Sequence, residues 1–155
     1  MGGVNQRVAS VLVAAIVAGA GGIDLRAEGS EITCKKEEFE AVVEATATSL
    51  RDLNAKNRPE FQEKLRQLKD KRKWSHDEFV AKATPFVRDD KTTVYDKTTD
   101  ELLSAISSMG QMGAESESPD CAVLLELRAR MKALVDTQTA KWSYMFGKLD
   151  AELSK

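Results

Sequence analysis

The stretch PDCAVLLELRARMKALVDTQTAKWSYMFGKLDAEL, Pro119 to Leu153, carries apolar side chains at Leu124, Leu127, Met131, Leu134, Val135, Trp142, Met145, Phe146 and Leu149. The steps between them place the set, with Gln138, on one stripe of an α-helix. A half-buried strand would alternate with a period of two, and no such alternation runs here or elsewhere in the chain. At about 1.5 Å per residue this helix is roughly 50 Å long. Other helices must cover its stripe.

The segments before it supply them. AESESPD, Ala114 to Asp120, reads as a loop, with Ser118 as N-cap and Pro119 at the first helical position. TTDELLSAISSMG, Thr98 to Gly110, shows a capping box of Thr98 with Glu101 and an apolar face of Leu102, Leu103, Ile106 and Met109. Val94 and Tyr95 are in phase with that face, so the start of this helix stays open. Gly110 and Gly113 are expected to end it. WSHDEF, Trp74 to Phe79, is the sharpest local signal. Ser75 and Glu78 form a capping box, and Trp74 and Phe79 stand at the positions of a hydrophobic staple. His76 is then an exposed first-turn residue. Pro85 limits or kinks this helix, and RDDKTT follows as a polar connector or first turn. Pro59 is expected to open another helix, with Phe61, Leu65 and Leu68 on its apolar face and KDKRK at its end. Thr33 to Asn54 reads as the first helix, capped by Thr33, apolar at Phe39, Val42, Val43, Leu50 and Leu53, and ended by NAKNRP. The expected fold is all-α: a helical bundle of about four to five helices with a long C-terminal helix.

The N-terminal stretch NQRVASVLVAAIVAGAGG has Arg7 before a run of apolar and small residues from Val8 to Ala18. A membrane-spanning helix needs about 20 apolar residues. This run is shorter and breaks into glycines, which fits the hydrophobic region of a signal peptide. Residues 1–27 are therefore assigned to a signal peptide cleaved after Ala20 or Ala27, and residues 28–155 to a single all-α domain. Export gives meaning to Cys34 and Cys121, the two cysteines of the chain. In an oxidising compartment they are expected to pair. Both stand at helix starts whose helices point the same way in an up-down bundle, so they meet at one end.

The chain has 155 residues, 42% hydrophobic and 31% charged, with a net charge of −2. That is the balance of a folded domain, without the positive excess of a nucleic-acid binder. No P-loop, GxGxxG or CxxC motif is present, and the single histidine excludes a paired-histidine zinc site. No catalytic, cofactor-binding or metal-binding residue is assigned, and no cofactor is expected. Two features offer a candidate binding surface. One is the basic run Lys64, Arg66, Lys69, Lys71, Arg72 and Lys73, suited to an acidic protein or an anionic envelope component. The other is the aromatic pair Trp142 and Tyr144 in KWSYMFGKL. The sequence thus points to an exported protein, periplasmic or secreted, that binds a protein or an envelope component and meets the membrane only during export. The alternatives are a small enzyme or metal-handling protein with a dispersed site, and a membrane-tethered structural protein. Its oligomeric state is open.

Overall fold

The computed structural model describes residues 34–116 and 120–155. These residues form four helices and no strand: α1 (Lys36–Arg72), α2 (His76–Val87), α3 (Asp90–Glu115) and α4 (Cys121–Leu153). The fold is all-α, with four helices. The assigned signal peptide lies outside the described residues, as do Thr33, Ser118 and Pro119.

α4 is the helix on which both α1 and α3 pack. α1 runs parallel to it. Glu38 pairs with Arg128, Asn54 accepts from Trp142, Lys64 pairs with Asp150 and Arg72 with Glu152, in step along both helices. α3 runs antiparallel to α4: Asp89 meets Lys148, Asp96 meets Lys141, and Gln138 donates to Thr99 at 2.7 Å. The stripe of α4 is buried at Leu124, Leu127, Met131, Leu134, Met145 and Leu149. Val135, Gln138, Trp142 and Phe146 are half-buried beside it.

The core has two clusters. One, at the N-termini of α1 and α4, joins Cys34, Phe39, Met109, Leu124, Leu127 and Met131. The other, at their C-termini, joins Phe61, Leu68, Met145 and Leu149, with Leu65, Trp74, Phe86, Trp142, Phe146 and Leu153 packed against it. The Cys34–Cys121 disulfide closes the first end, with 5.1 Å between the Cα atoms. That separation is ordinary for a bridge, and the two cysteines meet at one end of the bundle because α1 and α4 are parallel.

Several expected boundaries move. NAKNRP does not break the first helix, and Pro59 lies inside one 37-residue α1. An internal proline costs a helix about 3 kcal/mol, because it removes an N–H and crowds the carbonyl four residues earlier. Here Pro59 and Ala55 are both exposed, so that carbonyl faces water. Two residues on, Phe61 is buried with Met145 and Leu149 of α4 and keeps the helix packed there. The N-cap of α1 is Lys35, which makes no side-chain cap. α3 does not start at a Thr98–Glu101 box. It starts at Asp90, under a box in which Asp89 accepts from the Thr92 N–H and Thr92 accepts from the Asp89 N–H. Gly110 and Gly113 do not end it. A helical glycine costs only about 1 kcal/mol, and the Phe39 ring lies beside Gly113, 3.4 Å from where a Cβ would stand. The N-cap of α4 is Asp120, accepting from the Ala122 N–H.

The α1–α2 corner follows the sequence closely. Ser75 accepts from the Glu78 N–H, and Glu78 accepts from the Ser75 N–H. That hydrogen bond, with Lys82 nearby, lowers the Glu78 carboxyl below its usual range. Just before it, the Trp74 N–H donates to the Lys69 carbonyl and the Lys73 N–H to the Asp70 carbonyl. These two bonds make a Schellman motif, with Trp74 packing back into the core. Lys73 holds the left-handed position at φ 54° and ψ 38°. A residue with a Cβ is strained there by about 1–2 kcal/mol, and glycine is not. The Lys73 side chain is exposed, so nothing is lost with it. Lys73→Gly is expected to stabilise the fold by about 1 kcal/mol, read as a higher urea midpoint at unchanged slope.

Candidate functional site

The basic run is divided by the fold. Lys64 reaches Asp150 at 2.5 Å and Arg72 reaches Glu152 at 3.0 Å. Lys71 donates to the Leu153 carbonyl at 2.6 Å. The last turn of α4 has no basic residue of its own, so α1 supplies the cations that favour its negative end. Arg66 pairs with Glu63 on the surface, and the Lys69 ammonium stands 5.8 Å from the Phe79 ring centre. Lys73 is the left-handed cap described above. Lys64, Lys71 and Arg72 thus tie α1 to the end of α4, and Lys69 reaches Phe79 of α2.

Trp142 and Tyr144 point to different neighbours. Trp142 donates from Nε1 to Asn54 of α1 at 3.2 Å and meets Phe61 edge-on, with ring centres 5.9 Å apart. Tyr144 turns to α3 and its hydroxyl donates to Asp89 Oδ2 at 2.7 Å. Lys148 donates to the same oxygen at 2.5 Å and to the Pro85 carbonyl at 2.6 Å. The Lys91 and Lys148 ammonium groups lie 4.5 and 4.6 Å from the Tyr144 ring centre.

This Asp89 cluster shifts two titrating groups. The Lys148 ammonium, then the Thr92 N–H and the Tyr144 hydroxyl, hold the Asp89 carboxyl far below the usual carboxylate range. The same bond to Asp89 raises the Tyr144 phenol. Both Asp89 oxygens are engaged, one by the backbone cap and the other by Tyr144 and Lys148, so neither is free to take a substrate proton. The cluster is a polar staple that joins the α2–α3 corner to α4. Its pH dependence follows. A carboxyl whose folded pKa is depressed contributes stability above its unfolded value, near about 4, and loses it as pH falls through the folded value. Asp89→Asn keeps a capping side chain and removes the charge. It is expected to be less stable than wild type at neutral pH, with the gap narrowing below about pH 4. Thermal melts of both proteins across that range check this.

Hollows open on the described part of the bundle. One, of about 500 Å³, lies between α1 and α4 along Ala41, Ala45, Thr46, Ser49, Met131 and Val135. A second, also about 500 Å³, lies beside Asn54, Arg58, Phe61, Val87, Trp142 and Met145. The third, of about 350 Å³, lies between α1 and α3 at the disulfide end, over α4. Its apolar lining is Phe39, Val43 and Leu127, with Gly110 and Gly113 on the α3 wall and Lys36, Glu40 and Glu44 on the α1 rim.

The third cleft stands apart for three reasons. Val43 on its α1 wall is 46% exposed. The α3 wall belongs to LLSAISSMGQMGA, Leu102 to Ala114, which contains no charged residue, although exposed helix faces are normally charged. Among the described residues no element lies over it, because α2 is 12 residues long and packs at the opposite end. Sequence reading missed this site. The uncharged run was its one visible signal, and the two glycines within it read as a helix stop.

Among the described residues no group of His, Cys, Asp and Glu is placed to hold a metal ion, and no helix is long and apolar enough to cross a membrane. No family model, curated protein or solved structure matches this chain.

Proposed function

We propose that this chain is an exported cell-envelope protein, periplasmic or secreted, that acts by binding a protein or an envelope component through the α1–α3 cleft. The observation that carries binding is the cleft itself: an open apolar trough between two helices, with one wall free of charge. Helical bundles bind partners in such grooves. The compartment is supported by the bridge between Cys34 and Cys121, which uses both cysteines of the chain. Disulfides persist where the surroundings are oxidising. The Arg7 and Val8–Ala18 pattern supports export on sequence grounds.

Amino-terminal sequencing of the protein recovered from an envelope fraction tests the export step. The expected first residue is Gly21 or Glu28, with no free thiol after unfolding without reductant. An intact Met1 in the cytosol, with both thiols open to alkylation, contradicts it. An intact Met1 in the membrane fraction would instead favour the tethered form.

A further inference from the structure

We infer that the hollow beside Trp142 binds a small amphiphilic carboxylate, a free acid with one anionic head and an apolar tail. This hollow shares no lining residue with the α1–α3 cleft. The inference therefore goes beyond the binding reading above and does not depend on it.

The apolar part of the lining suits a tail. Phe61 and Met145 are buried, and Leu65 and Trp142 are half-buried. Val87, the last residue of α2, is 42% exposed. Side chains from α1, α2 and α4 thus frame one space of about 500 Å³, within the range of about 300–1,000 Å³ usual for small-molecule sites. A tail laid there would cover Val87 and the open side of Trp142, apolar surface that the fold leaves in water.

The polar part of the lining sets the head. Asn54, Arg58 and Gln62 stand one turn apart on the same face of α1, and all three line the hollow. The Trp142 indole nitrogen can only donate, so its bond to Asn54 Oδ1 fixes that amide and leaves the Nδ2 hydrogens unused. The Gln62 amide makes no hydrogen bond among the described residues. Arg58 is the one charged residue among the described residues of the lining. Arg51, Arg66, Arg72, Arg128 and Arg130 each pair with a carboxylate. Arg58 has no such partner among the described residues. Three donor groups and no carboxylate therefore border one hollow. A guanidinium takes a carboxylate through two parallel hydrogen bonds, and the amides a turn away on either side can serve its remaining lone pairs. A cationic head would meet Arg58 with no anion in the lining to offset it.

Calorimetric titration of the oxidised protein tests this with decanoate, decyltrimethylammonium and acetate, each below its micelle concentration. Decanoate should bind at least about tenfold more tightly than either of the others, because it combines the charge with the tail. Arg58→Gln should weaken decanoate by about tenfold or more. The Arg58 side chain is exposed, so the melting temperature should not change. Val87→Glu, which puts a carboxylate on the α2 side, should also weaken decanoate and hold the ammonium as well or better. In amide spectra the side-chain NH2 signals of Asn54 and Gln62 and the Trp142 indole N–H should move as decanoate is added. Decanoate binding no tighter than the ammonium, no binding of decanoate, or binding indifferent to Arg58→Gln would overturn the inference. So would shifts confined to residues 36–44 with those three signals unmoved, which would put the acid in the other cleft.

Discussion

Replacing both Cys34 and Cys121 by serine lowers the unfolding free energy by about 3 kcal/mol, the net of two effects. The bridge spans 87 positions of sequence, and in the chain-entropy model a loop of that length contributes about 4–5 kcal/mol. Against this, Cys34 sits at φ 53°, a left-handed conformation that costs a non-glycine residue about 1–2 kcal/mol. Cutting the bridge lets that backbone relax. The loss is expected to be uneven along the chain. α1 begins at Lys36 without a side-chain cap, so its first turn depends on the bridge beside it. The Ser75–Glu78 corner does not. Urea unfolding of both proteins reads the total, and amide hydrogen exchange reads the distribution. Faster exchange is expected in residues 36–44, with the 64–79 region unchanged.

Phe61→Ala is the second large effect, a loss of about 3–5 kcal/mol. The ring is 3% exposed. It meets Trp142 and Phe146 edge-on, with centres 5.9 and 5.4 Å away, so removing it leaves a cavity and ends two aromatic contacts. Residues from α1 and α4 line that space, and their helical backbones hold it open. Val80, 59% exposed, serves as the control: Val80→Ala is expected to change stability by less than about 0.5 kcal/mol. Urea midpoints check both. The Phe61→Ala protein should also show red-shifted tryptophan emission, because Trp142 loses its apolar cover.

How far the fold was legible depended on the range of the interactions that set each feature. The Ser75–Glu78 box is local, since its three-residue spacing carries the whole hydrogen-bond exchange, and it stands where the spacing put it. The α4 stripe is also local in pattern, and its leucines and methionines are buried as the periodicity requires. Pro59 was misread because its cost is local while its compensation is not: Phe61, two residues on, is buried with Met145 and Leu149 of α4. Asp89 was read only as part of a polar connector or first turn: its box with Thr92 is local, but the Tyr144 and Lys148 contacts that hold it come from residues far away in sequence. The basic run looked like a surface for a partner because the sequence does not show that α4 ends beside it with no cation of its own. The cleft was hidden for the same reason. Its residues come from three helices, and only the uncharged Leu102–Ala114 run marks it in one dimension.

The proposed binding places the partner at the α1–α3 cleft and not along the basic end. Amide chemical-shift mapping of the oxidised protein with a synthetic amphipathic helix separates the two surfaces in one experiment. Shifts are expected to concentrate in residues 36–44 and 103–113, with residues 64–73 unmoved. Shifts concentrated in residues 64–73 and the last turns of α4, with the cleft silent, would contradict it.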